Sequence, residues 1–224
     1  MKKLLIFDAY GTLISTGTGS IDSCKKILAL QDQKIDPVTF YAKWKKIHRE
    51  HITECINGKF MKEWDIFEKD LKRLYEIYNI NRPYKDDVKI MLSTQFNRKI
   101  FDDVLDTINT LKEKYRVVIG STADTYPLIK NMEDNNLSVH KIYTSEIIQT
   151  YKPDLYFYKY ILDKENVEPK DAVFIGDSTL DDINGPKKLG LTTILVYRSN
   201  NYKDVEANPD YIVKNLKEIL MINL

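Results

Sequence analysis

The sequence predicts an α/β fold, and three observations carry that expectation. Four short apolar runs, at residues 3–7, 116–120, 172–175 and 192–196, are each bounded by turn residues. Unbroken apolarity, in place of alternation, suits strands of a parallel sheet buried on both faces. Helix-like stretches at 102–114, 126–135, 154–163 and 181–189 separate those runs. Strand and helix in alternation imply an open sheet with right-handed crossovers. Residues 16–98 differ, with helical periodicity and no convincing strand. The expected architecture is a Rossmann-like parallel sheet core, residues 1–15 and 99–224, with a helical cap, residues 16–98, inserted after the first strand.

The first run ends abruptly at Asp8, where a Gly-containing loop begins. Within the insertion, Trp44, Ile47 and His51 recur on one helical face, and Phe67, Leu71, Leu74 and Tyr78 on another. Packing is the commoner reason for such stripes, so these residues are expected in a core. An insertion at this point lies over the carboxyl ends of the strands, where open α/β sheets bind their ligands. Neither an internal repeat nor a low-complexity segment interrupts the pattern.

Composition narrows the function classes. The 34 basic and 33 acidic side chains leave a formal net charge of +1. That balance gives no electrostatic footprint for nucleic acid or an anionic membrane. Any bound anion must be held by local groups. The apolar run at the N-terminus stops after four residues, far short of a signal-peptide core, and no later segment has the length to span a bilayer. Cys24 and Cys55 have no metal-site spacing and read as reduced structural thiols. A cytoplasmic protein, monomer or homodimer, is expected.

Four places carry candidate chemistry, each at the carboxyl end of a strand. Asp8-Ala9-Tyr10-Gly11-Thr12-Leu13 can present a carboxylate above exposed backbone N–H groups. An Asp that merely caps a turn would look the same in isolation. Ser121-Thr122 can donate hydroxyls to an anionic oxygen or simply form a turn. Lys152 precedes Pro153 and supplies a compact charge suited to phosphate, although surface lysines are far commoner. Gly176-Asp177-Ser178-Thr179-Leu180-Asp181-Asp182 crowds carboxylates between a strand end and a helix start. One acidic group there is routine capping, whereas several repel one another without a cation, and Mg²⁺ is the hard ion such oxygens invite.

In this order and spacing, Asp8 with Gly11-Thr12-Leu13, Ser121, Lys152-Pro153 and Gly176-Asp177 with Asp182 resemble the four motifs of the haloacid dehalogenase superfamily. The resemblance covers essentially the whole chain, because the insertion resembles the helical cap of that superfamily's first cap class. It implies that Asp8 is a nucleophile forming a covalent intermediate. It implies that Asp8, the Tyr10 backbone carbonyl, Asp177 and Asp182 (or Asp181) hold Mg²⁺. Ser121 and Lys152 would bind the transferring group and offset its charge. Tyr10, Thr12, Thr122 and Lys45 are the residues expected against a small anionic organic substrate.

Two activities follow from different parts of the resemblance. Phosphatases of the superfamily carry a second Asp two residues after the nucleophile, where this chain has Tyr10. The segment Phe7-Asp8-Ala9-Tyr10-Gly11-Thr12-Leu13 resembles that of L-2-haloacid dehalogenases, as do Trp44, the Asn57-Gly58-Lys59-Phe60 turn and Tyr158. Against dehalogenation, Lys45 replaces their cap arginine, Ser121-Thr122 their Ser-Asn, and Gly176-Asp177-Ser178 their Ser-Ser-Asn. A second carboxylate beside Asp8 without a metal would raise one pKa and weaken the nucleophile. The expected activity is therefore a Mg²⁺-dependent phosphatase, with the metal-independent dehalogenase as the alternative and a non-catalytic binding protein on the same fold as a third. His48, His51 and His140 have no ligand or triad spacing with one another, and His48 and His51, on one cap helix, read as surface or packing residues.

Overall fold

The computed structural model describes residues 3–30, 34–198 and 207–224. Its sheet has six parallel strands: β1 (Leu4–Phe7), β2 (Arg116–Ser121), β3 (Lys141–Thr144), β4 (Ala172–Gly176), β5 (Thr192–Val196) and β6 (Tyr211–Val213). Their spatial order is β3-β2-β1-β4-β5-β6. The four runs singled out by apolarity are β1, β2, β4 and β5. The edge strands β3 and β6 went unread for a physical reason. Lys141 and Tyr211 are exposed, and neither strand has the two buried faces that make a continuous apolar run.

Alternation along β1 serves two cores. Leu5 and Phe7 join Val117, Ile119, Val173 and Ile175 against one helical layer. That layer is α5 (Val104–Lys114) and α6 (Thr125–Asp134). Leu4, Ile6, Val118 and Phe174 face the other way, onto Phe157, Tyr158 and Ile161 of α8 (Leu155–Glu165). Every residue of β1 is fully buried, which explains a strand with no polar position. The short α7 (Ser145–Ile148) follows β3 directly.

Between β1 and α5 the described residues form four helices and no strand: α1 (Gly19–Ala29), α2 (Pro37–Asn57), α3 (Glu63–Ile77) and α4 (Tyr84–Ser93). They enclose their own core, in which Phe40, Trp44, Ile47, Leu71 and Leu74 are buried. Helix α2 starts where the sequence signals it, with Asp36 accepting from the Thr39 N–H at 2.8 Å and Pro37 at the first turn. Helix α3 has no such cap of its own. Asp124, from the loop after β2, accepts from the Glu63 and Trp64 N–H groups at 3.0 Å each. The two lobes are thus joined by a helix start that borrows its cap from across the cleft. No helix among the described residues is long and apolar enough to cross a membrane.

One helix differs from its expectation. Residues 179–184 form a wide, single-turn π-helix, and Gly185–Lys187 continue it as a short α-turn. A regular helix over 181–189 is not formed. The Ser178 hydroxyl accepts from the Asp181 N–H at 3.1 Å, and the Tyr158 hydroxyl donates to the Asp181 carbonyl at 2.5 Å. A Cβ on Gly185 would stand 2.2 Å from that hydroxyl, so only glycine leaves room for Tyr158. Wide turns of this kind recur at functional sites, and this one carries Asp181 and Asp182.

Candidate active site

Strand β1 lies between β2 and β4, and the chain leaves it toward β2 and β3 before crossing back to β4. That reversal opens a crevice at the carboxyl ends of β1, β2 and β4. Register fixes what stands there. Phe7 pairs with Ile119 and with Ile175, so Asp8 is level with Gly120 and Gly176. The Asp8 N–H donates to the Ile175 carbonyl at 2.8 Å, which ties the carboxylate to the end of the sheet.

Lys152 is the charge that faces this carboxylate. Its Nζ lies 2.8 Å from Asp8, 2.6 Å from Asp182 and 3.3 Å from the Gly120 carbonyl, and the side chain is 2% exposed. Asp182 also accepts from the Ser178 N–H at 2.9 Å, and Asp177 from the Thr12 hydroxyl at 3.0 Å. Carboxylate oxygens of Asp8, Asp177 and Asp182 all lie within 4.8 Å of one another. Two glycines make this crowding possible. A Cβ on Gly176 would fall 2.3 Å from the Asp182 carboxyl, and one on Gly11, at φ +97°, 2.5 Å from that of Asp177.

One ammonium cannot neutralise three carboxylates. Burial pushes the Asp8 carboxyl up to about 6, against the pull of Lys152 and with a further push from Asp177. Asp177 is exposed on one side, and its packing against the site together with the charge of Asp182 shifts its carboxyl upward. Asp182 rises to about 7, by burial opposed by Lys152 and reinforced by Asp8. Burial disfavours the Lys152 ammonium, but Asp182 and Asp8 outweigh it and hold the lysine charged. The floor therefore carries excess negative charge at neutral pH unless a cation joins it. Three oxygen donors beside one lysine are the chemistry Mg²⁺ prefers, so these residues fit that ion.

A cavity of about 420 Å³ opens between the two lobes; its lining reaches the floor's sequence neighbours Tyr10, Thr122 and Asp181, but not Asp8, Ser121, Lys152, Asp177 or Asp182 themselves. Tyr10, Thr122 and Asp181 line it from the sheet side, and Lys45, His48 and Arg49 from α2. The Thr122 hydroxyl is buried with no hydrogen-bond partner among the described residues, as a group that awaits a ligand would be. Lys45 is exposed at the mouth, with its ammonium 5.2 Å from the Tyr41 ring centroid. Thr12, expected against the substrate, is not in that lining. It is fully buried, and its hydroxyl is occupied by Asp177, so it orients a carboxylate. Ser121 closes β2 beside the floor at 1% exposure. Of the two candidates Asp181 and Asp182, only Asp182 enters the carboxylate group. Asp181 instead takes a bidentate pair from Arg49 at 2.8 and 3.0 Å.

The Tyr10 hydroxyl accepts from Asn131 at 3.0 Å, and burial lifts its pKa to about 12. A phenol so placed is a poor proton donor near neutrality. Asn131, fully buried on α6, also accepts from the Arg98 N–H at 2.9 Å. It thereby fixes Tyr10 and Arg98 together.

Several site residues escaped the sequence reading. Asp70 is fully buried and accepts from Trp44 at 3.1 Å, while His48 and His51 approach it at 2.7 and 2.6 Å. His48 and His51 were expected as packing or surface residues, whereas both are held by this one carboxylate. An Asp on the apolar face of α3 was the available signal. Glu63 and Arg98 also line the cavity. Burial raises Glu63 to about 7, against the charges of His48 and Arg98.

Known proteins resemble this chain along its whole length. The sequence model of the family described as haloacid dehalogenase-like hydrolase matches residues 5–196. The (S)-2-haloacid dehalogenase 4A of Burkholderia cepacia is 22% identical over 221 residues, 96% of this chain and 91% of that protein. Glyceraldehyde 3-phosphate phosphatase of Methanocaldococcus jannaschii is 33% identical over 92 residues, 38% of this chain and 40% of that one. Among solved structures, the HAD-hydrolase YfnB of Bacillus subtilis, bound to magnesium, matches at a TM-score of 0.79. It is 18% identical, and the match covers 98% of this chain and 97% of that one. Solved L-2-haloacid dehalogenases fall in the same range, with TM-scores from 0.78 to 0.81. At these identities the structural likeness concerns the fold.

Proposed function

Because this chain belongs to the haloacid dehalogenase-like hydrolase family, we propose that it is a Mg²⁺-dependent phosphatase acting on a small phosphorylated, anionic metabolite, with Asp8 as nucleophile. The observation that carries this reading is the approach of Asp8, Asp177 and Asp182 within 4.8 Å around a single lysine. The core is residues 1–15 and 99–224 and the cap residues 16–98, with the cleft between them as the substrate site.

Asp8 attacks the phosphorus as the ester P–O bond breaks; the alkoxide departs and takes a proton from solvent, leaving an aspartyl phosphate. Water then attacks that phosphorus, the bond to the Asp8 oxygen breaks, and inorganic phosphate leaves with the water oxygen while the spare proton passes to solvent, regenerating the Asp8 carboxylate. Lys152 keeps Asp8 ionised and offsets charge on the phosphoryl oxygens. Ser121 and Thr122 donate to those oxygens. Thr12 and Ser178 hold Asp177 and Asp182 in place. Asp8, Asp177 and Asp182, with the Tyr10 carbonyl, would hold Mg²⁺, which supplies positive charge against the phosphoryl oxygens.

Dehalogenation is the second reading, and a specific observation favours it. The relative matched over nearly the whole chain is a 2-haloacid dehalogenase, whereas the phosphatase likeness spans 38% of the chain. Tyr10 also stands where a phosphatase acid would, and halide needs no proton to leave. What weighs against it is Asp177, which pushes the Asp8 carboxyl upward in the absence of a metal.

Acid quenching during turnover, followed by peptide mass spectrometry, tests the proposal. A phosphoryl group on the peptide carrying Asp8, absent from Asp8→Asn, is the expected result. An ester to a substrate carbon at Asp8 would replace the phosphatase with the dehalogenase.

A further inference from the structure

Five of the six arginines in this chain pair with a carboxylate: Arg49 with Asp181, Arg73 with Glu50, Arg82 with Asp87, Arg116 with Glu165, and Arg198 with Asp103. Arg98 does not. It lines the cavity, and its guanidinium lies 4.8 Å from the centroid of the Tyr10 ring. Nε donates to the Thr94 carbonyl at 2.7 Å, and the Nη groups meet no acceptor among the described residues.

The segment that carries Arg98 is held rigidly. Asn131 accepts from its N–H at 2.9 Å, and the Asn135 amide donates to its carbonyl at 2.7 Å. Its position over the ring is therefore fixed before any ligand arrives, which reduces the ordering cost of binding. A half-buried guanidinium with idle donors is a two-pronged fork matched to a planar anion.

We infer that Arg98 is a specificity residue that binds a carboxylate on the substrate, separate from the group transferred at Asp8. The floor already has its own cation in Lys152, bound to Asp8 and Asp182. Asp181 in the same lining is already paired with Arg49, so the single free guanidinium fork of Arg98 is matched in charge and shape by one carboxylate. The unpartnered Thr122 hydroxyl in that lining is a further donor for an anionic substrate. The substrate class is then a small phosphorylated carboxylic acid. This inference rests on the cleft being the substrate site, as in the preceding reading.

The test compares wild type, Arg98→Gln and Arg98→Lys, each with Mg²⁺ and each first checked by thermal melting. Titration with 3-phosphonopropionate and with propylphosphonate isolates the carboxylate without turnover. Wild type should bind the carboxylated ligand about 10–100-fold more tightly, the range for hydrogen bonds to charged groups. Arg98→Gln should lose that preference while binding propylphosphonate as wild type does, and Arg98→Lys should recover part of it. Kinetically, Arg98→Gln should raise KM for 3-phosphoglycerate with little change in kcat, and leave glycerol 3-phosphate within about threefold. Equal losses for both ligands, no preference in the wild type, or failure of both to bind would overturn the inference. Phosphate release from glycerol 3-phosphate and other carboxylate-free esters judges the phosphatase reading separately. If only L-2-chloropropionate turns over, that reading falls, and Arg98→Gln must still raise its KM for the inference to stand.

Discussion

The Lys152 Nζ lies 2.8 Å from Asp8, and the same ammonium reaches Asp182 at 2.6 Å, with all three side chains almost closed to solvent. Removing the lysine would leave buried carboxylates with no counter-charge. Lys152→Met is therefore expected to cost about 3–5 kcal/mol of stability in metal-free protein at neutral pH, as for other broken buried pairs. Added Mg²⁺ should restore part of that loss. Urea denaturation with and without the metal checks both statements, and an unchanged midpoint in EDTA would contradict them.

The same crowding fixes a pH dependence. The buried Asp8 is raised to about 6 and the buried Asp182 to about 7, above the unfolded value near 3.9. A raised carboxyl stabilises the fold below its unfolded pKa, and that contribution is lost as pH rises through the folded pKa. Metal-free protein should thus lose stability from these groups between about pH 4 and 7. Mg²⁺ binds the ionised form and should raise Tm more at pH 7.5 than at pH 5. Calorimetric melting in EDTA and in Mg²⁺ at the two pH values would refute this if the metal shift were the same at both.

Asp8→Asn removes the nucleophile and one of the crowded charges while keeping the shape. Turnover should fall below detection, and metal-free Tm at pH 7.5 should rise. Substantial activity in the purified variant would rule out covalent chemistry at this position.

Tyr10 stands where a proton donor is wanted, yet its hydroxyl is engaged by Asn131 and its pKa is pushed to about 12. Tyr10→Phe should therefore keep kcat within about threefold, because no proton transfer is lost. Tyr10→Asp should raise the rate for alkyl phosphates more than for aryl phosphates, whose leaving groups depart unaided. General acid catalysis contributes roughly 10²–10⁴-fold where it operates. The gain should fall short of that range, because an Asp at this position also removes a half-buried aromatic ring from the cleft. Equal changes for both ester types would refute the missing-acid account.

What could be read from the sequence divides along physical lines. β1, β2, β4 and β5 are buried on both faces and announce themselves as apolar runs, whereas the edge strands β3 and β6 do not. Asp8, Lys152, Asp177 and Asp182 could be gathered because their order and spacing match four family motifs; Asp8 and Asp177 directly follow β1 and β4, whereas Lys152 follows the short α7 beyond the unread β3. Spacing tells nothing of which way the Thr12 hydroxyl turns, and it turns to Asp177 and away from the cavity. Asp70 shows in the sequence only as an acidic residue on the apolar face of α3, and Arg98 not at all, for a related reason. Their roles depend on neighbours far along the chain, Trp44, His48 and His51 for one and Tyr10 and Asn131 for the other. A solvated Arg in a linker would have had the same local sequence as Arg98.

If the carboxylate group around Asp8 works with a metal on phosphate esters, phosphate release must depend on that metal. The most direct measurement is release of phosphate and of halide by the wild type from a panel of phosphate monoesters and L-2-haloacids, in Mg²⁺ and in EDTA. Phosphate release that requires Mg²⁺ and stops in EDTA, with no halide released, is the predicted result. Halide release that EDTA leaves unchanged, with no phosphate from any ester, would contradict it.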